Sequence, residues 1–164
     1  MSYIFIDNKK DVCNPHPGFS HMTTPEEFYT NVVTAMNYLD TQLPMGSHVI
    51  FMGLADGLVL WDAMNARIHP IGELRQDVTY ADLYDYLNCL EISPCWGWMN
   101  SDAFARNETQ RIADQLSAVY HEVIKNNTYI HFNMTYIDCP VRGQFFLLTN
   151  YLEFFYSHYF YRGL

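Results

Sequence analysis

The chain has 164 residues, with nine Lys and Arg against eighteen Asp and Glu and a formal net charge of −9. That length suits one domain, and an apolar share of 49% with 16% aromatics builds a core rather than a disordered chain. The acidic balance argues against a nucleic-acid partner and against adhesion to anionic lipid by charge alone; Lys9-Lys10 is the only basic pair.

In chain order, Tyr3–Ile6 is a short aromatic and β-branched run that reads as a buried strand. Asn14 to Ser20 holds two prolines and a glycine and reads as a loop. Thr24-Pro25-Glu26-Glu27 is a helix start: a capping threonine, a proline at the first helical position and a glutamate three residues after the cap. Phe28, Val32, Ala35, Met36 and Leu39 then recur at helical spacing until Pro44-Met45-Gly46. His48–Met52 reads as a second strand with a tight exit at Gly53, and Leu58–Met64 as a short helix.

Thr79–Leu90 is expected to be a helix capped by Thr79, with Leu83, Tyr86, Leu87 and Leu90 on one face. Ser93–Met99 is a Pro, Gly and Trp loop, Glu108–Lys125 a long amphipathic helix carrying Ile112, Leu116, Val119 and Val123, and Tyr129–Ile137 a third strand. The order strand, helix, strand, helices, strand predicts an α/β fold with a short parallel sheet flanked by helices. Three strands are few for a parallel sheet, which is normally covered on both faces.

The composition changes at Pro140, and residues 145–161 contain nine aromatics in seventeen positions. This tail reads as a core helix or edge strand, or as sequence foreign to the fold. It is too short and too polar, with Asn150, Glu153 and His158, for a transmembrane span. The expected organisation is therefore 1–139 as the main unit and 140–164 as a divergent aromatic-rich tail.

The four cysteines, Cys13, Cys89, Cys95 and Cys139, contain no C-x-x-C pair, so a zinc ribbon is not expected, and the even count fits two disulfides or four thiols. Three N-x-[ST] sequons at Asn107, Asn126 and Asn133 are glycosylation candidates and favour the secretory route. Met1 leads straight into Tyr3–Ile6 without a signal peptide, which suggests a true beginning further upstream. His16, His21, His48, His69 and His121 lie in unlike contexts, so a zinc site is not expected.

The segment His48–Trp98, together with Met22–Val32 (MTTPEEFYTNV), resembles the acyloxyacyl hydrolases, a family of the SGNH (GDSL) hydrolase superfamily. The resemblance extends from Met22 to about Asp138. It implies a partial SGNH-type, flavodoxin-like three-layer domain. It also implies a serine-type esterase that removes secondary fatty acyl chains from bacterial lipopolysaccharide (lipid A). The full-length enzyme would be secreted or lie in the endolysosomal lumen, with a saposin-like part and possible calcium as family associations.

The chemistry of that family needs a serine nucleophile in Gly-Asp-Ser and a base in Asp-x-x-His, because a hydroxyl attacks an ester only when a positioned base takes its proton. Neither motif occurs among these 164 residues; the His158 region reads Phe155-Tyr156-Ser157-His158 and lacks the aspartate. The segment Lys9-Lys10-Asp11-Val12-Cys13 resembles the family's Gly-Asn-Asp-Val-Cys block, in which the asparagine amide donates to the oxyanion. Lys10 stands where that asparagine belongs, and Asp11, Val12 and Cys13 match. Lys10 is read as a weak oxyanion donor or a surface lysine, since its flexible stem replaces a short fixed amide poorly.

Gly53 and Asp56 resemble a loop after a central strand of the family. Asp56 then faces substrate, or else caps a helix. Trp61, Trp96 and Trp98 contact acyl chains or belong to the core. By the same resemblance Cys89 pairs with Cys95, leaving Cys13 and Cys139 to pair together or with segments elsewhere. The implied reading is an inactive fragment of the esterase; the alternative is a secreted, non-catalytic pseudoenzyme or lipid-binding protein on the same fold.

Overall fold

A computed structural model describes residues 12–138. The expected strand Tyr3–Ile6, the block at Lys10 and Asp11, Cys139 and the tail 140–164 lie outside the described residues.

Helix α1 spans Pro25–Gln42 and begins as its sequence dictates. Thr24 Oγ1 accepts from the Glu27 amide at 3.2 Å, and Glu27 Oε2 accepts from the Thr24 amide at 3.0 Å. Two amides that the helix cannot satisfy internally are thereby paired. The chain leaves α1 through Leu43 and turns at Gly46, whose φ of +83° suits a residue without a side chain. Strand β1 (Ser47–Met52) follows, then α2 (Gly57–Met64), a 3₁₀ turn at Pro70–Gly72, α3 (Tyr80–Cys89), α4 (Ala103–Asn126) and β2 (Phe132–Ile137).

The two described strands pair in parallel, from Ser47 opposite Phe132 to Met52 opposite Ile137. This is a partial α/β domain. Both α1 and α4 pack over the sheet face formed by alternate residues Val49, Phe51, Phe132, Met134 and Tyr136. Helix α1 contributes Phe28, Val32 and Met36, and α4 contributes Ala113, Leu116, Val119, Tyr120 and Val123. Tyr120 is the hub: its ring stacks on Phe51 at 4.7 Å and meets Phe28 edge-on at 5.3 Å.

Three element boundaries differ from those read in the sequence. Helix α4 starts at Ala103, five residues before Glu108, because Asp102 Oδ1 accepts from the Phe104 amide at 2.8 Å and caps the helix there. Strand β2 starts at Phe132 rather than Tyr129, because the amides of Ile130 and His131 donate to Asp40 Oδ1 at 3.1 and 2.9 Å instead of to a strand. Those bonds hold the Asp40 carboxyl below its usual range, the His131 amide foremost. The apolar face expected on α3 forms but is only partly covered: Leu83 and Leu87 are half-buried, and Tyr86 and Leu90 remain 62% and 48% exposed.

Two substitutions test this framework. Leu116→Ala, at a side chain fully buried between α4 and the sheet, should cost about 3 kcal/mol through lost burial and the cavity left behind. Thr24→Ala should cost about 1 kcal/mol by removing the cap. Urea titrations of the two variants should show midpoints falling in that order.

Candidate functional site at the carboxyl end of the sheet

Short connections run from α1 into β1 and from α4 into β2, so both helices lie antiparallel to the strands. Their amino termini, the loop 13–23, the loop after β1 and the loop 93–102 therefore collect at the carboxyl end of the sheet. In open α/β sheets this is the end where ligands bind.

The loop after β1 is held from behind by α4. Gly53 donates to the carbonyl of Ile137 at 3.0 Å and closes the ladder. Leu54 donates to Ser117 Oγ at 2.9 Å, and Gly57 donates to Gln110 Oε1 at 2.8 Å in a buried setting. Gln110 is itself oriented, its Nε2 donating to Asp114 Oδ1 at 3.0 Å. A Cβ on Gly57 would lie 2.3 Å from Trp98 Cδ1, so this position admits only glycine against the indole. Asp56 Oδ1 accepts from the amides of Leu58 and Val59 at 2.9 and 3.2 Å, which makes Asp56 the cap of α2.

The loop carrying the tryptophans presses equally closely on α4. A Cβ on Gly97 would come within 1.9 Å of Thr109 Oγ1, a hydroxyl that already donates to the Ala105 carbonyl. Trp96 meets Phe19 edge-on at 5.6 Å, and Phe19 meets Phe104 at 6.1 Å. Arg106 lies over the Trp61 ring at 4.0 Å and donates to the Asn100 carbonyl. Each tryptophan thus has a packing partner inside the chain.

The disulfide differs from the one expected. Cys13 bonds to Cys95, with Cα atoms 4.3 Å apart, and among the described residues Cys89 is a free, exposed thiol. The physical reason lies in the backbone. Trp96 donates to the Asn14 carbonyl at 2.9 Å, which lays segment 13–14 alongside segment 95–96. Cys89 instead ends α3 with its side chain outward, and the chain then reverses at Glu91, whose φ is +56°. The Cys89–Cys95 pairing is therefore corrected to Cys13–Cys95.

Five of the serines are described, and none of their hydroxyls is hydrogen-bonded to a histidine. Ser47 donates to the Pro44 carbonyl, Ser101 bonds to Asp85, Ser117 serves Leu54, and Ser93 Oγ is buried without a partner. A polar groove at the amino end of α1 does gather Ser20, His21, Glu26 and Glu27. No hydrogen bond links them into a relay: His21 Nε2 is buried and unpaired, and Glu27 is engaged with Thr24. Among the described residues no three His, Cys, Asp or Glu side chains gather as a metal site. The sequon asparagines Asn107, Asn126 and Asn133 are exposed, the first two on α4 and the third on β2.

A parallel two-stranded sheet packed under helices, with its loops gathered and braced at one end, is a partial α/β domain. No family model matches the chain, but individual proteins do. It is 45% identical over 140 residues to acyloxyacyl hydrolase of Homo sapiens, 43% over 137 residues to that of Mus musculus, and 44% over 138 residues to that of Oryctolagus cuniculus. In each case the match covers 83% of this chain and 24% of the relative. The chain belongs to the acyloxyacyl hydrolase family as a partial chain, and it spans about a quarter of the length of these relatives.

Three measurements check this geometry. Gly97→Ala should destabilise the chain by about 1–3 kcal/mol, because a methyl group has no room against Thr109. Non-reducing peptide mapping should recover a Cys13–Cys95 crosslinked peptide. Cys13→Ser should then lower stability by about 2–5 kcal/mol, while Cys89→Ser leaves it unchanged.

The third concerns pH. Burial holds the His21 imidazole below the ordinary histidine value, with His16 adding to the effect, and burial does the same for His69. The Ile71 amide donates to His69 Nδ1, an acceptor lost on protonation. Both rings bind a proton less readily folded than unfolded. Their contribution is therefore complete above about pH 6.5, the unfolded value, and is lost as pH falls below it. Urea midpoints should decline from pH 7.5 to pH 5.0, and the decline should shrink in His21→Gln and in His69→Asn.

Proposed function

We propose that this chain supplies the central part of an SGNH-type serine esterase domain that removes secondary fatty acyl chains from the lipid A of bacterial lipopolysaccharide, and that the chain alone does not hydrolyse esters. The observation that carries the reading is the similarity to three acyloxyacyl hydrolases over 83% of the chain, joined to a sheet whose carboxyl-end loops are firmly braced.

Ester cleavage by this chemistry requires an activated hydroxyl, a base, a group that fixes the base, and donors for the oxyanion. The described residues offer scaffold for such a site. Gln110, Ser117 and Trp98 position the loop at Gly53–Gly57, and the Cys13–Cys95 bond ties the segment that follows Lys10 and Asp11 to the tryptophan loop. In this reading the nucleophile, the base and a saposin-like lipid-binding part belong to the remainder of the enzyme. The disulfide and the exposed sequons support a secreted or endolysosomal setting. No helix among the described residues is long and apolar enough to cross a membrane.

The test is an assay of the purified chain at micromolar concentration on lipopolysaccharide and on a short p-nitrophenyl ester. The expected result is no fatty acid or nitrophenol above buffer, since loss of nucleophile and base together removes nearly all acceleration. Turnover that a single Ser→Ala substitution abolishes would overturn it.

A further inference from the structure

The three sequons stand in three different local structures, although all three asparagines are exposed. At Asn107 the whole sequon lies inside α4. Its hydroxyl residue, Thr109, is fully buried, donates to the Ala105 carbonyl at 2.8 Å and packs against Gly97. At Asn133 the sequon lies within β2, and Asn133 and Thr135 are both exposed. Asn126 is the last residue of α4: Asn127 is extended, with φ −125° and ψ 144°, and the exposed Thr128 follows outside the helix.

Glycosyl transfer needs the acceptor amide and the hydroxyl two residues on to be reachable together. A helix forms within about a microsecond, far faster than synthesis at about 5–20 residues per second, so α4 withdraws Thr109 soon after it emerges. The Asn126 sequon stays open even in the finished fold. Asn133 stays open during synthesis, because its parallel pairing with β1 is non-local and slow.

Asn126 also lines a groove of about 550 Å³ between α1 and α4. Gln115, Ala118 and Glu122 continue that wall along one face of α4, for about 16 Å at the helical rise. Tyr29 and Thr30 of α1 stand on the other wall. The Asn127 side chain ties the two walls together: its Nδ2 donates to Tyr29 Oη at 3.1 Å and to the Val123 carbonyl at 2.9 Å. The groove thus begins at a carbohydrate acceptor. It offers an aromatic ring to the C–H face of a sugar, and an amide and a carboxylate to its hydroxyls.

We propose that Asn126 carries an N-linked glycan whose first two N-acetylglucosamine residues lie in this groove, and that Asn107 stays bare. Transfer joins Asn126 Nδ2 to C1 of the first sugar. The C1–O bond to a lipid diphosphate-linked oligosaccharide donor breaks, the diphosphate leaves with the electron pair, and the amide gives up a proton. The seated sugars bridge the end of α4 to α1, beside the Asn127–Tyr29 bond. The proposal rests on the secretory setting of the reading above and not on ester hydrolysis.

The experiment expresses the chain in a eukaryotic secretory host and maps glycopeptides on the total chain from cells and medium. Asn126 and Asn133 should be occupied, and Asn107 at least tenfold less so. An endoglycosidase that cuts between the first two sugars then reads the seat. It should release the Asn126 glycan roughly tenfold more slowly from the folded chain than from the reduced and alkylated chain, because the seated core must open first. Ala118→Arg fills the groove at an exposed helical position with a good helix former and should restore the fast rate, and Gln115→Ala should recover part of it. The proposal is overturned by a bare Asn126, by Asn107 modified as fully as Asn126, or by cleavage of the folded chain that both variants leave unchanged. Asn126 bare beside a modified Asn133 defeats the site alone, whereas both bare would also count against the secretory setting. None of these results touches the esterase reading, which the ester assay tests separately.

Discussion

Helix α4 is the member on which the described structure bears. One side of it fills the core with Leu116, Val119, Tyr120 and Val123. Its first half meets the tryptophan loop at a distance that leaves no room for a side chain, at Gly97 against Thr109, and that loop in turn leaves none at Gly57 against Trp98. Close backbone approach of this kind is costly to lose, because every displaced contact also unpairs a buried polar group. Gln110 and Ser117 would each lose an amide partner if the loop after β1 moved. Core packing and loop positioning are thus one event.

This coupling explains how the loops at the carboxyl end of the sheet are held in place without a serine–histidine pair among the described residues. The features that place the loops are side chain-to-backbone hydrogen bonds, a disulfide and aromatic contacts. All are independent of a nucleophile. The groove that gathers Ser20, His21, Glu26 and Glu27 shows the converse. Residue types suited to acyl transfer stand near one another there. The carboxylate of Glu27 is engaged in capping α1, and the histidine has no partner. Proximity without directed hydrogen bonds does not raise the basicity of an imidazole or fix its tautomer.

Much of the scaffold was legible because its causes are local. The capping box at Thr24 and the cap at Thr79 fix helix starts through bonds spanning three residues, and the apolar spacing from Phe28 to Leu39 names the face that α1 buries. Asp56 illustrates a divided reading. Its place after a strand suggested substrate, its place before Leu58 suggested a cap, and the bonds to Leu58 and Val59 realise the second. The Asp102 cap was equally local and was passed over because the apolar periodicity of α4 is clearest only beyond Glu108.

The sequence by itself determined the order of elements, the helix caps, the parallel α/β character and, through its resemblance, the family, since each depends on neighbours in the chain or on a pattern preserved along it. Only the tertiary structure decided that Cys13 rather than Cys89 meets Cys95, that Gly57 and Gly97 must stay bare, and that Gln110 and Ser117 brace the loop after β1. These are contacts between segments from 12 to 82 residues apart. Which partners meet at such separations follows from how α4 and the sheet pack as bodies, and no spacing rule within one segment encodes it.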